Sequence, residues 1–126
     1  MRSVLRLGLL AAITALAGAC LSPTLPLPPP EEPDTIQPSK EGADLWIVSG
    51  TCRPGARVIV FDDDLNTGGV NLDEDRDGRY TVELPHAKRC DFVTVSQSVG
   101  NEVSGETGFV LQEKTAAGVE DPSACK

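Results

Sequence analysis

The sequence is short of several things that particular functions need. It has one histidine, His86, which argues against a histidine-built metal site. Lys and Arg number 11 against 19 Asp and Glu, for a formal net charge of −8. Phosphate binding needs a surplus of basic side chains, so no nucleic-acid partner is expected. Aromatic residues are scarce, with one Trp and one Tyr. No apolar run reaches the roughly 20 residues that span a bilayer as a helix, and no stretch shows a convincing helical period. The cysteines lack the close spacing of a zinc site. Ser96, Ser98 and Ser104 lack a G-x-S-x-G context. His86 and Cys90 are near in sequence, but no third group orients them for nucleophilic catalysis. The expectation is a protein that is not an enzyme.

What is present begins with four cysteines in 126 residues, a frequency that raises the question of export. The N-terminus reads MRSVLRLGLLAAITALAGAC. Arg2 and Arg6 form a positive n-region, and an apolar run follows from Leu7 to Ala19. This pattern predicts an export signal over 1–19, cut before Cys20. Ala17 and Ala19 give the A-x-A pattern of an ordinary signal peptidase site. The cysteine directly after the run also resembles a bacterial lipoprotein signal, although Ala17 stands where that motif usually carries Leu. The resemblance implies acyl chains on Cys20 and stable membrane anchoring. With Leu21 rather than Asp next in line, it implies an outer-membrane envelope lipoprotein. The other reading is a secreted protein whose Cys20 pairs in a disulfide.

From Leu21 to Glu41 the chain carries seven of its ten prolines. Such a run favours extended polyproline II, at about 3.1 Å per residue, or up to roughly 60 Å over the run. Residues 20–42 are therefore expected to be a lipidated cysteine followed by a disordered tether.

After residue 42, short apolar segments alternate with turn signals, the pattern of an all-β domain. DLWIVSG (44–50), ARVIVFD (56–62), VNLD (70–73), RYTVEL (79–84), DFVTVSQSV (91–99) and EVSGETGFVLQ (102–112) read as strands. LNTGG (65–69) reads as a turn. In RYTVEL, Tyr80, Val82 and Leu84 face one way, and Val93 and Val95 share a face further on. Trp46 reads as core. The predicted fold is a single immunoglobulin-like β-sandwich of six or seven strands over 43–112, with a C-terminal tail over 113–126.

The turn and strand motifs also carry a resemblance. VSGTCRPGARVIVFD, DEDRDGRYTVEL and DFVTVSQSVGNEVS are together similar to bacterial immunoglobulin-like repeats of the adhesin type. Gly50, Thr51, Pro54, Gly55, Val58 and Val60 match the first motif. Asp75, Asp77, Gly78, Tyr80, Val82 and Leu84 match the second, and Val93, Val95, Gly100, Asn101 and Ser104 the third. Carboxypeptidase-regulatory-like domains share the second signature. The resemblance implies the sandwich fold and a structural or protein-interaction role at the cell envelope. The expected contacts are the membrane, through Cys20, and an envelope or surface protein.

If Cys20 is lipidated, Cys52, Cys90 and Cys125 remain as disulfide candidates. In an immunoglobulin-like sandwich Cys52 and Cys90 would lie on the A–B and E–F connections, at one end, which favours Cys52–Cys90. Strict up-and-down alternation of the strands would place them at opposite ends and let Cys125 reach Cys90.

One stretch suggests chemistry. Asp73, Asp75, Asp77 and Gly78 reproduce the first half of a D-x-D-x-D-G calcium loop. The twelfth position is Leu84, where an EF-hand needs Glu, and residues 79–84 read as strand. DEDRDG therefore reads first as a tight turn. A calcium- or carbohydrate-binding surface module, with Asp62, Asp63 and Asp64 as helpers, is the second reading. Calcium is the only cofactor it would bring.

Overall fold

The computed structural model describes residues 25–41 and 44–126. The signal segment, Cys20, the first residues of the tether and residues 42–43 lie outside the described residues.

Ten strands form. They are β1 (Thr35–Pro38), β2 (Leu45–Thr51), β3 (Arg57–Asp62), β4 (Thr67–Leu72), β5 (Arg79–Pro85), β6 (Phe92–Val99), β7 (Glu102–Val103), β8 (Thr107–Val110), β9 (Lys114–Thr115) and β10 (Gly118–Val119). All pairings are antiparallel. One sheet has the order β10-β9-β1-β2-β5. The other has β4-β3-β6, with β7 and β8 both pairing β6. The two sheets make an immunoglobulin-like β-sandwich.

Alternation at period two selects the inner faces. Trp46, Val48 and Gly50 on β2 lie opposite Leu84, Val82 and Tyr80 on β5. Facing them are Val58 and Val60 on β3, Val93 and Val95 on β6, and Phe109 on β8, all buried. Ile36, Ala56, Ala87 and Leu111 complete the core. Each large apolar side chain so buried contributes about 1.5–3 kcal/mol of transfer free energy. Gly50 leaves room for the Tyr80 ring, whose hydroxyl would stand 2.7 Å from a Cβ at that position. At the seam between β4 and β5 the backbones crowd in the same way. A Cβ on Gly69 would stand 2.5 Å from Val82 Cγ1 and 2.8 Å from the Glu83 carbonyl oxygen.

Three boundaries differ from the sequence expectation. LNTGG is not all turn: the reversal spans 63–66, and Thr67–Gly69 already belong to β4. The described part of the proline segment is not a free tether. Leu27, Pro30 and Pro33 are buried, and Thr35–Pro38 is a sheet strand paired with β2. Proline offers no N–H, but its carbonyl accepts. Gln97 Nε2 donates to the Pro28 oxygen at 2.8 Å, and Thr107 Oγ1 donates to the Pro30 oxygen. The tail also joins the fold, through β9, β10 and Cys125. The sandwich therefore takes in residues on both sides of 43–112.

The favoured cysteine pairing is also corrected. Cys90 is bonded to Cys125, with Cα atoms 5.3 Å apart, and Cys52 is free. The reason is that β4 is the only strand between β3 and β5, with no further strand or crossing, so Cys52, on the β2–β3 connection, lies at one end. The strands from β2 to β6 then run strictly up and down, and Cys90, on the β5–β6 connection, falls at the far end.

Three outcomes follow. Cys125→Ser opens a loop 35 residues long and is expected to lower unfolding stability by roughly 3–4 kcal/mol in urea titrations. Thiol counting by mass should find Cys52 free and Cys90 and Cys125 protected. Gly69→Ala is expected to cost about 1–3 kcal/mol by overpacking the β4–β5 seam, read as a lower denaturation midpoint.

Candidate functional site

The β2–β3 turn, the β4–β5 loop and the β6–β7 turn share one end of the sandwich, as the strand registers require. DEDRDG, residues 73–78, is the β4–β5 loop. It is held from within by its first residue. Asp73 is only 3% exposed. Its Oδ2 accepts from the Gly55 amide at 3.0 Å and the Gly78 amide at 2.9 Å. Its own amide donates to the Ala56 carbonyl, and the Cys52 amide donates to the Gly78 carbonyl. One carboxylate oxygen thus fastens the β2–β3 turn to the β4–β5 loop. Gly55 and Gly78 both have positive φ, at 79° and 76°, a conformation that suits glycine. Asp75 Oδ1 accepts from the Asp77 amide, and Asp77 Oδ1 from the Arg79 amide at 2.8 Å.

The three aspartates converge. Asp73, Asp75 and Asp77 each bring one carboxylate oxygen within 4.8 Å of the others. They line an open depression of about 380 Å³ together with Leu72, Arg79 and Tyr80. Burial pushes the Asp73 carboxyl up, but hydrogen bonding from the Gly55 and Gly78 amides and the Asp75 and Asp77 carboxyls together holds it below the usual aspartate value. Asp75 is pushed up, first by the Asp73 carboxyl beside it and further by the charge of Asp77. Leu84, at the twelfth position of the loop count, is buried in β5. The site is therefore an acidic loop between strands and not an EF-hand.

The neighbouring Asp62, Asp63 and Asp64 do not join it. Asp62 ends β3 at Thr67 of β4, five residues along the ladder from Arg57 and Leu72, or about 17 Å at strand rise. These aspartates cap the opposite end. Asp62 is fully buried, and its Oδ1 accepts from the Asp64 amide at 3.0 Å and the Leu65 amide at 3.1 Å. Asp64 Oδ2 accepts from the Phe92 amide at 2.7 Å.

Cys52 is half-buried beside the acidic loop. Burial, then the charges of Asp73 and Asp77, push its thiol up and away from the reactive thiolate. Cys90 has its sulfur in the disulfide. His86 is an exposed turn residue with φ 66°, and its amide donates to the Asp44 carbonyl. Trp46 lies in the core, 5% exposed.

Sequence reading missed Gln97. Its side chain is buried at the same end as the acidic loop. Oε1 accepts from the Arg53 amide at 2.8 Å while Nε2 holds Pro28. Alternation in DFVTVSQSV places Gln97 on the face of Val93 and Val95, and that was the available signal.

Asp62 generates a pH prediction. Burial, aided by the charge of Asp91, raises its folded pKa above the unfolded value near 3.8, against the pull of the Leu65 and Asp64 amides. The folded state then favours the protonated carboxyl, so this group's contribution to stability is present below the unfolded pKa and is lost as pH rises through the folded one. Asp62→Asn keeps the Oδ1 acceptor and removes the charge. It is expected to raise the melting temperature by a few degrees at pH 7, with the gain vanishing near pH 3.

No family model, curated protein or solved structure matches the chain, so its function is argued from the residues and their geometry.

Proposed function

We propose that the protein is a non-enzymatic lipoprotein of the bacterial cell envelope, held at the outer membrane by acyl chains on Cys20. Its single sandwich serves a structural or protein-interaction role. The observation that carries this reading is the cysteine placed directly after the charged and apolar signal, at Cys20. The domain begins close behind it. Leu27 is already buried against the sandwich, so only six residues, 21–26, separate Cys20 from it along the chain. Six such residues reach about 20 Å at most, well short of the roughly 60 Å of a fully extended proline tether. The domain would therefore sit near the bilayer surface.

The interaction role draws on the outer face of the second sheet. Ile59 pairs with Val70, and Arg57 with Leu72, across β3 and β4. Val70 and Leu72 are each 54% exposed. Phe92 and Val103 add exposed apolar surface elsewhere on that sheet. Apolar side chains gathered on one sheet face are a feature of protein-binding surfaces.

Anchoring is tested by labelling cells with radioactive palmitate. The protein is expected to take up label, and Cys20→Ala to abolish it. Label persisting in that variant would reject Cys20 as the anchor.

A further inference from the structure

We propose that Asp73, Asp75 and Asp77 form a calcium-binding site at the end of the sandwich nearest the N-terminal segment. This goes beyond the anchoring reading and does not depend on it.

Converging carboxylates alone are common on protein surfaces. What sets this loop apart is Asp73. It is 97% removed from solvent, being 3% exposed, and only one of its two oxygens is used by the protein. Oδ2 takes both backbone donors, from Gly55 and Gly78. Oδ1 is buried and has no hydrogen-bond partner. A buried acceptor without a partner is costly and calls for an explanation, an ion or a bound water among the usual ones. A carboxylate that is buried and half-satisfied has the character of a metal ligand.

No cation among the described residues fills the need. Among the described residues, neither Arg76 nor Arg79 makes an ion pair with these three aspartates: Arg79 pairs with Asp34 at 3.4 Å. The side chain of Arg76 instead lies along Gly55, its Nε 3.5 Å from where a Cβ would stand. Three carboxylates therefore converge within 4.8 Å without a neutralising side chain.

The donor set selects the cation class. All available ligands are hard oxygens, which suit calcium or magnesium over a transition metal. The depression is open, and its ligands come from one irregular loop. That favours calcium, which tolerates irregular geometry and six to eight ligands, over magnesium, which demands a near-ideal octahedron. Water completes the shell. Without a bidentate glutamate the affinity belongs in the range of extracellular modules, a dissociation constant of roughly 0.1–1 mM.

Binding would tighten one end of the molecule as a unit. Asp73 already joins the β2–β3 turn to the β4–β5 loop. Arg53 of that turn donates to Gln97, which in turn holds Pro28. A cation on Asp73, Asp75 and Asp77 draws the loop together and stabilises the folded state by mass action.

The test uses the purified mature protein in detergent, stripped with EDTA and then given 10 mM CaCl₂, 10 mM MgCl₂ or NaCl of matched ionic strength. Calcium is expected to raise the melting temperature on the order of 5–10 °C, magnesium much less and sodium not at all. Calorimetric titration with CaCl₂ should show one site. Asp73 is structural, so Asp73→Asn is set aside in favour of Asp75→Asn and Asp77→Asn. Both positions are exposed, both variants should fold, and both should lose the calcium shift. Asp62→Asn, at the opposite end, should keep it. A folded wild-type protein with neither shift nor heat would overturn the proposal. So would an equal response to magnesium, or a shift that survives both loop variants.

Discussion

Two sets of alternate side chains, pressed face to face, hold this molecule together. Trp46, Val48, Tyr80, Val82 and Leu84 form one wall, and Val58, Val60, Val93, Val95 and Phe109 the other. A one-residue slip in any of these strands would turn its apolar set outward. The registers are therefore fixed by burial, and the registers decide the ends. Because β2 to β6 run up and down without a crossing, the connections alternate between ends. Cys52, the acidic loop and the β6–β7 turn gather at one end. Asp62, Cys90 and the disulfide gather at the other.

Three buried polar side chains sit at the margins of this apolar interior, and each closes a connection. Asp73 fastens two loops at one end, and Gln97 fastens a turn and the N-terminal segment beside it. Asp62 caps the β3–β4 turn at the other end. Irregular backbone at a sandwich end leaves amides without ladder partners, and a short acceptor side chain is the economical way to satisfy them. Gln97 is satisfied at both of its polar atoms. Asp62 and Asp73 each keep one oxygen free, but their surroundings differ. Asp62 relieves its burial by favouring the proton, with Asp91 beside it. Asp73 is pulled the other way, below the usual aspartate value, by the Gly55 and Gly78 amides together with the Asp75 and Asp77 carboxyls. The same residue type at the two ends of one sandwich is driven toward opposite chemistry by the donors around it.

The proline segment shows how composition and context compete. Its residues favour an extended, unpaired backbone, and in isolation it would stay in water. The edge of a sheet and the seam of a sandwich both accept an extended chain. Leu27, Pro30, Pro33 and Ile36 supply apolar contacts, while Gln97 and Thr107 supply the donors that prolines cannot.

Much of the architecture was legible in the sequence by itself. Strict alternation in RYTVEL and DFVTVSQSV, the β-branched run in ARVIVFD and the turn residues between them point to an all-β domain whose strands each bury one face, as a sandwich does. The aspartate spacing was legible in the same way, as a local pattern. The loop's rejection as an EF-hand was also legible, since Leu84 continues a strand. What only the tertiary structure decided was everything that depends on distant partners. The up-and-down run of β2 to β6 put Cys52 and Cys90 at opposite ends, and so decided which cysteines meet. It separated Asp62 from DEDRDG by the length of a strand, although the two acidic runs are close in sequence. The fold also buried Asp73 and left one of its oxygens unpaired. Spacing along a chain records which groups can face one way; it does not record which amides, from another turn, will have claimed them.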